Sequence, residues 1–167
     1  MANEKSDKNL IGAAGEYLVL SRLLSKGILA SQAPRGTRKA DILVNHLDDK
    51  PPCLIQVKTR SKKAGWGGGW ILGVKHESIV DKDLFYCFVD LSIENPKIYV
   101  IPAKIVAKVV TESHQTWLDT PGKKNQKHKD SDTRIIKSEY EMELKCAPSG
   151  WMDKYLENWS LILGTDS

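Results

Sequence analysis

The chain has 167 residues and a net charge of +4, a length that fits one domain with a sizeable core. That mildly basic balance permits a polyanion partner without demanding one, and a hydrophobic fraction of 41% is that of an ordinary globular protein. Three cysteines far apart, with no CxxC pair, argue against a zinc knuckle or redox motif and suit a reducing cytosol.

The first ten residues, MANEKSDKNL, are polar and hold no signal-peptide core. No apolar run approaches the ~20 residues a membrane span needs. The expectation is a soluble cytoplasmic protein that engages no membrane. Residues 10–26 read as an amphipathic helix that stops at Gly27. ILASQAP is a strand, RGTRK a turn, ADILV a second strand, NHLDDKPP a loop and CLIQVKTR a third strand. Short strands with short connections predict an antiparallel hairpin or meander. KKAGWGGGW reads as a flexible loop carrying large flat side chains. DLFYCFVDLS and KIYVIP are two further strands, and AKIVAKVVTESHQTWL is a helix. Residues 120–133 have almost no apolar content and are expected to be a second mobile loop, after one near 61–70. Trp151, Tyr155, Trp159 and Ile162 recur at helical spacing and predict a last helix packed on the core. Residues 1–167 are expected to form a single α/β domain, with a central mixed sheet of about five strands flanked by helices.

Three segments carry residues that this pattern does not need for packing. On the strand CLIQVKTR, alternation puts Gln56, Lys58 and Arg60 on one face, with Ile55, Val57 and Thr59 on the other. Asp41 opens the preceding strand. Glu16 follows Gly15 in the first helix, where Leu20 and Leu23 are its i+4 and i+7 neighbours, so it lies in the apolar stripe. A carboxylate there needs a partner such as a cation or a metal. Gly12, Ala13, Ala14 and Gly15 keep that part of the helix thin, so backbone or substrate can come close. Taken singly, each residue has a plainer use. Glu16 could pair with a strand lysine, Asp41 could cap a strand start, and Lys58 could guard an edge strand.

Taken together, Glu16 in a first helix, Asp41 at a strand start and Gln56-Val57-Lys58 in the next strand resemble the PD-(D/E)xK nuclease superfamily. The motif covers roughly the first sixty residues. The element order that follows is similar to bacterial endonuclease-like members, including some intron-encoded homing endonucleases. The resemblance departs in two places: Ala40 stands before the aspartate in place of proline, and Gln56 replaces an acidic residue. An amide oxygen ligates Mg²⁺ but brings no charge.

The resemblance implies a restriction-endonuclease-like core and metal-dependent hydrolysis of DNA phosphodiester bonds. It implies Mg²⁺, with Mn²⁺ as a substitute, held by Asp41, Gln56, the carbonyl of Val57, and Glu16. Glu16, Asp41, Gln56 and Lys58 become the catalytic set, with Lys58 acting on the attacking water or the phosphate. DNA contacts are expected from Arg35, Arg38, Lys39, Arg60, Lys62 and Lys63, and base stacking from Trp66 and Trp70. Cutting both strands of a duplex commonly uses a twofold homodimer. Gln56 favours the alternative, a catalytically inactive nucleic-acid-binding module that kept the fold. A third reading is an accessory protein in which these residues only support structure.

Overall fold

The structure is a computed structural model and describes residues 4–34, 36–37, 39–46, 52–61 and 68–164. Helix α1 (Glu4–Ser25) comes first. It ends where Gly27, at φ 74°, takes the left-handed conformation that glycine adopts without strain. Ile28 N–H then returns to Leu23 O at 3.0 Å and closes the cap.

Strands β1 (Ala30–Gln32), β2 (Ile42–Val44) and β3 (Cys53–Arg60) follow as an antiparallel meander. β3 then pairs in parallel with β5 (Leu84–Asp90), and β5 pairs antiparallel with β6 (Lys97–Pro102). The sheet order is β1-β2-β3-β5-β6, a five-stranded mixed sheet. Every residue of β5 is buried, which explains why LFYCFV reads as a continuous apolar run: both its faces are covered.

Two layers do the covering. On one face, Val19 and Leu23 of α1 pack with Ile55, Val57, Cys87 and Val89. On the other, Val106 and Val110 of α2 (Ala103–Asp119) pack with Tyr86, Phe88 and Ile101. The second layer also holds β4 (Trp70–Gly73) and β7 (Thr133–Ile136), which pair with each other as a separate two-stranded sheet. Neither strand is predicted by local sequence pattern.

The C-terminal stretch also departs from expectation. Instead of one long helix it makes a 3-10 turn at Asp153–Tyr155 and a single helical turn, α3 (Ser160–Leu163). Between them Leu156 bridges to Tyr99, and Glu157 N–H donates to Ile98 O at 2.8 Å. The chain breaks helix there to satisfy the outer edge of β6. The buried side chains Trp151, Tyr155, Trp159 and Ile162 still pack on the core as their spacing suggests. Among the described residues no helix is long and apolar enough to cross a membrane.

Gly15 sets how closely α1 lies on β3. A Cβ at this position would stand 1.9 Å from Thr59 Oγ1 and 2.9 Å from Thr59 Cβ. Thr59 is β-branched and stiff, so the helix itself would have to move. Gly15→Ala is expected to cost ~1–3 kcal/mol through overpacking, seen as a lower urea midpoint at an unchanged denaturant slope. An unchanged midpoint would show that α1 can back away freely.

Candidate active site

β2 is shorter than β3, and the site lies where it stops. Their pairing runs from Val44↔Cys53 to Ile42↔Ile55. β3 continues to Arg60, so its later residues have no β2 partner. Asp41 stands at this break. Its backbone N–H donates to Ile55 O at 2.8 Å, and its carbonyl accepts from Ala33 N–H at 2.9 Å. One step further along β3, the Val57 N–H would otherwise be orphaned. It donates to Asp41 Oδ2 at 2.7 Å. The carboxylate thus replaces a missing ladder carbonyl, and a buried N–H left without such a partner is costly. A strand residue sends its N–H and C=O to the same side, so the Val57 carbonyl leaves β3 by this same open edge.

The other candidates approach from the two faces. Glu16 comes from the α1 layer, brought close by Gly15 against Thr59. Burial and the neighbouring Asp41 charge both raise its pKa above the ordinary glutamate value. Gln56 and Lys58 lie on the opposite face, beside Tyr86 and Phe88 in register. Gln56 Oε1 is buried and has no hydrogen-bond partner among the described residues. Burial lowers the pKa of Lys58, the pull of Asp41 opposes this, and repulsion from Lys75 adds to it. Lys58 makes no ion pair among the described residues. Asp41, in the plane of the sheet, is therefore the group whose charge reaches both Glu16 and Lys58.

Chemically, Asp41 at the edge, Glu16 on one face and Gln56 and Lys58 on the other bring two carboxylates, an amide oxygen, a backbone carbonyl and an amine to the same stretch of β3. Such oxygen-rich sets suit hard cations. Among the described residues no three His, Cys, Asp or Glu side chains gather as a metal-ligand set. Any cation here would have to use the Gln56 amide or the Val57 carbonyl, and the orphaned Gln56 Oε1 is an atom that fits that use.

The predicted DNA contacts fare differently. Arg35, Arg38, Lys62, Lys63 and Trp66 lie outside the described residues. Lys39 is exposed on the turn before Asp41, at φ 73°. Trp70 is no loop side chain: it is 2% exposed, and its Nε1–H donates to Val89 O at 2.9 Å. It has no free face for a base. Arg60 is likewise occupied. Its Nη2 donates to Asp90 Oδ2 at 2.6 Å, and its guanidinium lies 4.1 Å from the centre of a Trp70 ring. Burial alone would raise the Asp90 pKa, but hydrogen bonds from Arg60 and Ser92 and the Arg60 charge hold it below the usual aspartate value. Arg60 and Trp70 fasten the end of β3 to β5 and β4, which removes both from the expected DNA surface. In residues 120–133, His128 stacks on Trp117 at 4.0 Å and Asp130 pairs with His114 at 2.8 Å.

Residues that local spacing does not reveal also meet here. His76, on the 3-10 turn Val74–Glu77, shares a 2.6 Å hydrogen bond between its Nδ1 and Tyr86 Oη. Burial, then the charges of Lys58 and Lys75, lower the His76 pKa to about 4. A cavity of about 220 Å³ elsewhere, between α2 and β7, contains none of these residues.

No family model and no curated protein matches the chain. Among solved structures, it is similar to the bacterial homing endonuclease I-Ssp6803I. The likeness spans 98% of this chain and 94% of that one, at a TM-score of 0.52 and 19% sequence identity. At that identity the likeness is one of fold. The five-stranded mixed sheet flanked by helices is a homing-endonuclease-like architecture.

Proposed function

We propose that this protein is a metal-dependent DNA endonuclease of the PD-(D/E)xK kind. The observation that carries the reading is the open edge of β3. There the Asp41 carboxylate is held by Val57 N–H at 2.7 Å, and the residues on either side of Val57 are Gln56, whose buried Oε1 has no partner among the described residues, and the half-buried Lys58. The fold likeness to a homing endonuclease supports it independently. Asp41, Gln56 Oε1, the Val57 carbonyl and Glu16 would hold Mg²⁺ or Mn²⁺. When bound, such a cation polarises a phosphate and makes its water more acidic.

The chain's own residues do the rest. The Val57 N–H fixes one Asp41 oxygen and so orients the other, which has no partner among the described residues. Glu16 adds a second carboxylate whose raised pKa makes it easier to protonate. Cation binding should therefore weaken as pH falls through the Glu16 pKa. Lys58 donates to the attacking water or to a phosphate oxygen, and its partial burial strengthens that contact by excluding water. A twofold homodimer would supply the two sites that a double-strand cut uses.

A second reading keeps DNA binding without catalysis. It is favoured by the carboxylate count, since only Glu16 and Asp41 supply charge at the edge and no third acid joins them among the described residues.

A DNA panel of duplex, branched and single-stranded substrates in Mg²⁺, Mn²⁺ or EDTA separates the two. Cleavage in metal that EDTA stops supports the endonuclease. Binding without cleavage on any substrate supports the module. Gln56→Glu sharpens the test, because it adds a charge at nearly constant size. Titration should show cation affinity equal to or above the parent, and an affinity well below the parent would remove Gln56 from the ligand set.

A further inference from the structure

The turn Val74–Glu77 is tied down at three of its four residues. Val74 N–H donates to Asp132 O at 2.8 Å. His76 holds Tyr86 Oη at 2.6 Å, with the two rings edge-on at 5.6 Å between centroids. Glu77 pairs with the Arg134 guanidinium. Tyr86 is in register with Gln56, so the turn is fastened over the strand face that carries Gln56 and Lys58. The fourth residue, Lys75, is exposed and makes no ion pair among the described residues. It stands beside His76 on the turn that the Tyr86 hydrogen bond holds over that face. The acid on the turn, Glu77, is committed to Arg134 and neutralises neither lysine. Lys58 on β3 and Lys75 on the turn fastened over its face are two cations on one side of the sheet, and an anion between two cations is attracted by both.

We infer that Lys75 is a DNA-binding residue of this site, contacting the backbone phosphate next to the one that Lys58 faces. The inference rests on the endonuclease reading and extends it to a residue that the sequence motif does not include. An ammonium on a flexible stem acts as a point charge, so the contact positions the strand without reading its sequence.

The test is DNA affinity against salt concentration in EDTA, where no strand is cut. It compares the parent, Lys75→Ala, Lys75→Arg and Lys108→Ala, a matched lysine on the exposed face of α2. Loss of one phosphate contact lowers the log–log salt slope by about one. Parent and Lys75→Ala affinities should then draw apart about three- to fourfold as salt falls from about 200 to about 50 mM. Lys75→Arg keeps the charge and should retain the parent slope, as should Lys108→Ala. If the parent binds DNA and Lys75→Ala matches it in slope and affinity, this inference fails and the endonuclease reading stands. If Lys75→Ala and Lys108→Ala lose slope equally, Lys75 has no special place and the inference also fails. A parent that binds no DNA overturns both.

Discussion

Asp41→Asn should stop cleavage and leave the fold nearly intact, whereas Asp41→Ala should damage both. The two variants differ because Asp41 has two tasks. One oxygen accepts the Val57 N–H at 2.7 Å, and an asparagine carbonyl can do the same. The negative charge is what a hard cation needs, and asparagine lacks it. A metal centre supplies several kcal/mol of transition-state stabilisation, and each 1.36 kcal/mol is tenfold in rate. Asp41→Asn is therefore expected to lose roughly 10²–10⁴-fold in cleavage rate while unfolding near the parent midpoint. Asp41→Ala should lose as much activity. It should also lose ~1–3 kcal/mol of stability, because the N–H of Val57, a residue 8% exposed, is left unpaired. Single-turnover cleavage and urea unfolding on the same preparations check this. An Asp41→Asn protein as active as the parent would make Asp41 a purely structural cap.

Lys58→Ala should give the complementary result. Lysine cannot ligate a cation in its charged form, so metal affinity should stay close to the parent while cleavage falls by a similar 10²–10⁴-fold. The fold should tolerate the change, since burial already lowers the Lys58 pKa and no ion pair among the described residues is broken. Lys58→Arg should recover little: a planar fork does not reproduce a compact ammonium beside Phe88. A Lys58→Ala variant that cleaves normally would assign the amine to strand protection alone.

Features encoded locally are legible in the sequence. Period-two alternation in CLIQVKTR places Gln56 and Lys58 on one face of β3, and that face is the one observed. The thin GAAG segment of α1 anticipates a close approach, which Gly15 and Thr59 provide. The rest depends on pairing between distant segments. WILG and TRII are four residues each, one following glycines and the other ending a polar stretch, and they are strands only because they pair with each other. Trp70 beside four glycines reads as mobile, yet the sheet beneath it buries its ring. The apolar spacing of residues 151–162 is helical, but the free edge of β6 claims Leu156 and Glu157 first. His76 and Lys75 carry no local signature at all. The parallel register of β3 with β5 and the His76 hydrogen bond to Tyr86 bring their turn over the face of β3 that carries Gln56 and Lys58.

If the proposed function is right, the open edge of β3 is a phosphodiester-cleaving centre. Conversion of supercoiled plasmid by the parent and by Lys58→Ala, side by side in Mg²⁺ and in EDTA, tests it most directly. The expected result is nicked or linear product from the parent in Mg²⁺, none in EDTA, and almost none from Lys58→Ala. Equal conversion by parent and variant, or product that persists in EDTA, would contradict it.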